Sequence, residues 1–92
     1  MDRFRYKRGI PLEYEVQGYI YFLSRRYRQL PLAKRRKIDE VCSRAGEDYA
    51  GALKAFVTTD RVAEEICGKY FISKSTLERM VKRYYLELAK HL

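Results

Sequence analysis

Apolar residues return every third or fourth position along most of this chain, and the breaks in that rhythm fall at proline, glycine and capping residues. Leu12, Val16, Tyr19, Ile20, Leu23, Tyr27 and Leu30 form one such stripe and predict a helix over 12–30. Pro31 suits the start of a second helix over 32–45, with Ile38, Val41, Cys42 and Ala45 inward and Gly46 as its stop. Tyr49, Ala52, Leu53, Phe56 and Val57 predict a third over 48–57, after which Thr58, Thr59 and Asp60 are expected to end one helix and cap the next. Val62, Ala63, Ile66, Cys67 and Tyr70 mark a fourth helix. Leu77, Met80, Val81, Tyr84 and Leu88 mark a fifth, with only Phe71, Ile72 and the natural N-cap Ser73 between the two. No segment alternates as a strand would, so the expected fold is all-α: a compact bundle of about five helices.

Composition changes this picture in two ways. The chain has 92 residues, 47% of them hydrophobic, with nine tyrosines and four phenylalanines, enough for one modest core without disulfides. It also carries 20 Lys and Arg against 12 Asp and Glu, a net charge of +8, which is what a partner rich in phosphate would select. The excess is uneven. Residues 1–46 hold twelve basic and five acidic side chains, whereas 47–92 hold eight and seven.

Residues 1–10 lack periodicity and contain Arg3, Arg5, Lys7 and Arg8, so they are expected to form a basic arm ahead of a single helical domain over 11–92. Arg25, Arg26 and Arg28 lie close before Lys34, Arg35, Arg36 and Lys37, and the two clusters are expected to share one end of the molecule. Cys42 and Cys67 sit on apolar stripes with no zinc-like spacing, so both are expected to be reduced and buried. The single histidine, His91, pairs with no nucleophile or carboxylate motif, and no glycine-rich phosphate loop is present. No enzymatic activity, cofactor, metal or small-molecule substrate is therefore expected. With no signal peptide and no membrane-length apolar run, a cytoplasmic protein without membrane association is the expectation.

The stretch from Glu65 to Arg83 resembles the bacterial helix-turn-helix, here at about 60–90. In that comparison Cys67 is the small residue at the helix crossing, Ile72 plugs the angle between the helices, and Leu77 with Met80 or Val81 faces inward. The resemblance implies that the last helix reads the major groove. Its exposed face would present Lys74, Ser75, Glu78, Arg79 and Lys82, with Thr76 and Arg83 completing the candidate DNA contacts. Arg79 suits a guanine edge, Lys74 and Lys82 suit phosphate or guanine, and Ser75 suits a base or a phosphate. Glu78 either accepts from a cytosine amino group or pairs with Lys74 or Lys82 along the helix. One position departs from the motif: Phe71 stands where glycine is usual, and a bulky residue there is strained if its φ is positive.

Lys34, Arg35, Arg36 and Lys37 open the second helix without early acidic partners, against the helix dipole, and form either a solvated face or a phosphate-contact patch. Tyr85, about 100° around the helix from Tyr84, is the tyrosine expected to be left for a partner or a second subunit. The order of elements is similar to region 4 of sigma factors and to short regulators of phages and conjugative elements. That similarity implies a sequence-specific transcriptional or mobile-element regulator bound to double-stranded DNA, with RNA polymerase or a second copy as further partners. The rival expectation is a helical adaptor that binds RNA polymerase or another protein without base readout; RNA binding is a third. The first two are separated by geometry. If the Lys74–Lys82 face and the Lys34–Lys37 cluster lie on one surface, DNA binding gains; if they lie on opposite faces, the adaptor gains.

Overall fold

The computed structural model describes residues 4–92, and every regular element among them is helical. α1 spans Tyr14–Arg25, α2 Leu32–Gly46, α3 Ala50–Thr58, α4 Ala63–Tyr70 and α5 Lys74–Ala89, with short 3-10 turns at Tyr27–Gln29 and Glu47–Tyr49. The radius of gyration, 12.1 Å, matches the roughly 12 Å expected of a close-packed chain of this length.

The apolar rhythm of the first helix runs beyond the helix itself. A residue before proline is pushed out of the α region, and Leu30 is accordingly extended at ψ 150°. The chain tightens instead: the N–H groups of Gln29 and Leu30 donate to the carbonyls of Arg26 and Tyr27, and the Pro31 carbonyl then accepts from Lys34 and Arg35 to begin α2. The Tyr27 hydroxyl donates to both carboxylate oxygens of Asp39 at 2.7 and 2.9 Å, and Lys54 meets Oδ1 at 2.8 Å, so one carboxylate ties this turn to α2 and α3. Burial pushes the Asp39 carboxyl up, but the hydrogen bonds from Lys54 and Tyr27 outweigh it and leave the pKa below the usual value.

Two expected boundaries move. Gly46 is the last residue of α2, and the positive φ that ends the helix falls on Glu47, at 50°. Thr58 and Thr59 do not cap α4; their hydroxyls donate back to the carbonyls of Lys54 and Ala55 and close α3. The N-cap of α4 is Val62, which has no capping side chain.

α5 is the centre of the core. Leu77, Met80, Val81, Tyr84, Tyr85 and Leu88 are buried along it, against Ile20 of α1, Ile38, Val41 and Cys42 of α2, and Leu53 of α3. Ser24 donates to the Ile20 carbonyl at 2.7 Å, so the buried 2.6 Å contact between its Oγ and Tyr84 has the tyrosine as donor. Tyr85 is not left for a partner. It is 3% exposed, its ring lies edge-on to Tyr84, the Lys7 ammonium sits 5.9 Å above its centroid, and burial pushes its hydroxyl up to about 12. Both cysteines are free thiols. Cys42 is buried and its thiol is pushed up to about 12, by burial and then by the neighbouring Asp39; Cys67 is only half-buried, at the edge of the core.

The segment read as a basic arm, over its described part, runs along α1. Arg3 lies outside the described residues. Gln17 is fully buried: its Oε1 accepts from the Lys7 N–H at 2.9 Å and its Nε2 donates to the carbonyls of Lys7, Ile10 and Leu12 at 3.0, 3.1 and 3.2 Å. The Phe4 ring meets Tyr14 and Tyr21 at 5.3 and 5.5 Å, and Ile10 joins the core.

Removing the Gln17 amide takes the partner from the Lys7 N–H and the Leu12 carbonyl, each a loss in the range of about 1–3 kcal/mol, while the Lys7 and Ile10 carbonyls still accept from the N–H groups of Ile10 and Leu12. Gln17→Ala is expected to lower the unfolding free energy by about 2–4 kcal/mol in urea titrations and to speed tryptic cleavage at Lys7 and Arg8 in the native protein. Unchanged stability and cleavage would show that the segment is held by its side chains instead.

Candidate nucleic-acid interface

α4 and α5 are joined by Phe71, Ile72 and Ser73. The N–H groups of Phe71 and Ile72 both converge on the Cys67 carbonyl, and Phe71 is left-handed at φ 56°, ψ 46°, which is the backbone path a glycine usually takes past a helix end. Phe71 gains no burial in return, being 91% exposed. Ile72 packs partly against the core. Ser73 then starts α5: its Oγ accepts from the Thr76 N–H at 3.1 Å.

The core-facing stripe of α5 turns Lys74, Ser75, Glu78, Arg79, Lys82 and Arg83 to solvent. Among the described residues Glu78 makes no ion pair, so helical pairing with Lys74 or Lys82 is not what occupies it. Thr76 is half-buried and internal to the face: Ser73 donates to its Oγ1 at 2.9 Å and Arg79 Nη2 at 3.2 Å, which holds the guanidinium near the start of the helix. Arg83 leans away, with Nη1 3.2 Å from Glu47 Oε1. Its exposed carboxylate partner makes that a weak tether.

Arg79 and Lys82 border two hollows. One, about 500 Å³, is rimmed by Glu47, Asp48 and Tyr49; the other, about 380 Å³, is rimmed by Lys7, Gly9 and Ile10 of the N-terminal segment. The exposed face of α5 is thus a ridge with a depression on each side, the far rim of one carrying Glu47 and Asp48 and that of the other Lys7. The sequence placed Lys7 only in a basic arm, and the two rims were not legible in it because they depend on long-range packing. The only local signals were Ile10 between Gly9 and Pro11, and Gln17 on an apolar stripe.

The basic start of α2 lies elsewhere. Lys34 and Lys37 border a hollow of about 280 Å³ together with Tyr19, Leu88, His91 and Leu92, at the C-terminal end of α5. Lys74 is about 21 Å away along that helix at 1.5 Å per residue. Lys37 pairs with Glu40 at 3.9 Å, and Arg35 is half-buried, its Nε without a hydrogen-bond partner among the described residues and its charge acting on Asp39. Arg36 is exposed. Arg25 lines a different cleft from Lys34 and Lys37, so these three do not gather around one hollow.

Among the described residues no group of His, Cys, Asp and Glu could hold a metal ion, and no helix is long and apolar enough to cross a membrane. Comparison with protein-family models, curated proteins and solved structures finds no match to this chain.

A left-handed non-glycine residue costs about 1–2 kcal/mol, and glycine returns roughly 0.5–1 kcal/mol of that as lost chain freedom. Phe71→Gly should therefore raise stability by about 0.5–1 kcal/mol, whereas Phe71→Ala, which keeps the Cβ, should raise it little. Ser73→Ala should lower it by about 1 kcal/mol. Thermal unfolding of the three variants checks the turn; a destabilised Phe71→Gly would contradict it.

Proposed function

We propose that this chain is a sequence-specific binder of double-stranded DNA, a transcriptional or mobile-element regulator of the helix-turn-helix kind, with α5 lying in the major groove. The observation that carries the proposal is the ridge of α5: a Ser73-capped helix whose Lys74, Ser75, Glu78, Arg79 and Lys82 are all solvent-facing, flanked by hollows on both sides and preceded by a left-handed turn. A major groove about 12 Å wide admits one such helix. The net charge of +8 supplies the sequence-independent attraction.

In this reading Arg79 takes the guanine edge and Lys74 and Lys82 contact phosphate or guanine. Ser75 and Glu78 sit on the same face and suit short contacts to base edges. Thr76 serves by positioning Arg79.

One observation favours the second reading, a helical adaptor for RNA polymerase or another protein. Lys34 and Lys37 lie at the opposite end of α5 from Lys74, and Tyr14, Tyr19 and Phe22 are exposed on α1. Those surfaces are free to meet a protein while α5 meets DNA.

Arg79→Ala should cost about 1–3 kcal/mol on the preferred duplex and flatten discrimination at one base pair, with a smaller loss on scrambled DNA. Lys82→Ala should weaken both duplexes alike. Binding by the parent should fall with salt on a log–log slope of several units, roughly 0.9 per phosphate neutralised. A folded Arg79→Ala variant with full affinity and unchanged preference would move the weight to the adaptor.

A further inference from the structure

A cleft of about 510 Å³ runs between the N-terminal segment, α1, the α3–α4 link and α5, and Arg5, Lys7, Arg25, Arg61 and Lys74 line it with Asp60 as the one acid among the described residues that line it. We propose that this cleft seats phosphates of the duplex strand that flanks the groove occupied by α5. The proposal rests on the duplex-binding reading above.

Five cations line the cleft; Arg61 has Glu65 within 3.7 Å, and the Arg25 guanidinium lies 4.8 Å from the centroid of the Tyr21 ring. Like charges gathered around one depression repel one another, and a phosphate seated among them relieves that repulsion. Lys7 shows the cost: it is half-buried, and burial first, then the Arg25 charge, lower its pKa from the usual lysine value. Three of the five are arginines, whose planar fork matches phosphate oxygens two at a time. Lys74 opens α5, so the positive end of that helix faces the same space. A strand fits better than a free ion because the cleft does not end at itself. Lys7 also borders the hollow that contains Glu78, Arg79 and Lys82, so a backbone seated in the cleft passes directly beside the ridge.

This seat differs from α5 in what it can read. Phosphates carry no sequence information, so the cleft fixes register and adds affinity, while α5 discriminates.

The test measures binding of the full chain to a preferred and a scrambled duplex across a salt series, for the parent, Lys7→Met, Lys7→Arg, Arg61→Gln and Arg79→Ala. Lys7→Met keeps an apolar stem over Tyr85. It also removes a charge that the folded state disfavours, so it should melt no lower than the parent. Lys7→Met and Arg61→Gln should each weaken both duplexes by the same factor and lower the log–log salt slope by roughly 0.9. Lys7→Arg, which keeps the charge, should retain both affinity and slope. If Lys7→Met and Arg61→Gln bind like the parent while Arg79→Ala loses site preference, the cleft is not a phosphate seat and the reading of α5 stands. If Lys7→Arg is as weak as Lys7→Met, the effect is packing and the seat is likewise overturned. A parent that binds duplex without preference, with the cleft variants still weaker and shallower in slope, keeps the seat and removes base readout from α5. A parent that binds no duplex removes both.

Discussion

Gln17 places an uncharged amide where the helical stripe calls for an apolar side chain, and that amide hydrogen-bonds both the N–H and C=O of Lys7 and the carbonyls of Ile10 and Leu12. A buried amide is tolerated only when its polar atoms are satisfied, and here the partners are backbone groups of a segment whose own turns pair only the carbonyls of Lys7 and Ile10 among them. The two needs meet in one place. Because the segment is fixed, Ile10 completes the core, Lys7 comes to rest over Tyr85, and Arg5 and Lys7 become one wall of the basic cleft. Without Gln17 the α1 surface and Tyr85 would face water, and the positive charge of the first residues would have no fixed position relative to α5.

α5 does two jobs with one periodicity. Its inward positions, from Leu77 to Leu88, hold the bundle together, so the helix is rigid; its outward positions inherit that rigidity and are presented as a ridge. A contact helix held this way loses little freedom when it binds. The turn before it is the contrary case. Phe71 is left-handed and exposed, so the chain keeps a strained aromatic where glycine would fold more easily. Strain with no compensating burial points to a role outside the fold, because packing does not explain the residue.

Much of the architecture was legible from spacing. Helical stripes predicted the segments that became α1 to α5 to within a few residues, and Ser73 was recognisable as a cap because its hydroxyl needs only the helix that follows it. What failed depended on partners distant in sequence. Tyr85 lies a helical step from Tyr84 and reads as exposed until the N-terminal segment is known to cover it. Thr58 and Thr59 have the composition of a cap, but a threonine hydroxyl can bond back to the carbonyl four residues earlier as readily as forward, and only the path of the chain decides. The candidate contact residues divide in the same way. Lys74, Ser75, Glu78, Arg79 and Lys82 follow from the stripe alone, whereas the tether from Arg83 to Glu47 and the half-burial of Arg35 follow from tertiary packing.

The two sides of the ridge are unequal in charge, and this bears on how a duplex would meet the protein. On one side Glu47 and Asp48 rim the hollow, and Glu47 already engages Arg83; on the other, Lys7 leads from the second hollow into a cleft whose described lining has one acid and five cations. A phosphate backbone carries a charge at every step, so it is drawn more strongly to the second side than to the first. The helix would therefore enter the groove with one flanking strand close to the protein and the other farther away. That asymmetry selects one of the two ways a single ridge can lie in a groove, before any base is read. Orientation set by phosphate and sequence set by α5 are separate tasks. In the duplex-binding reading they would fall to different parts of the chain: the first to a segment fixed by Gln17, the second to a helix fixed by the core.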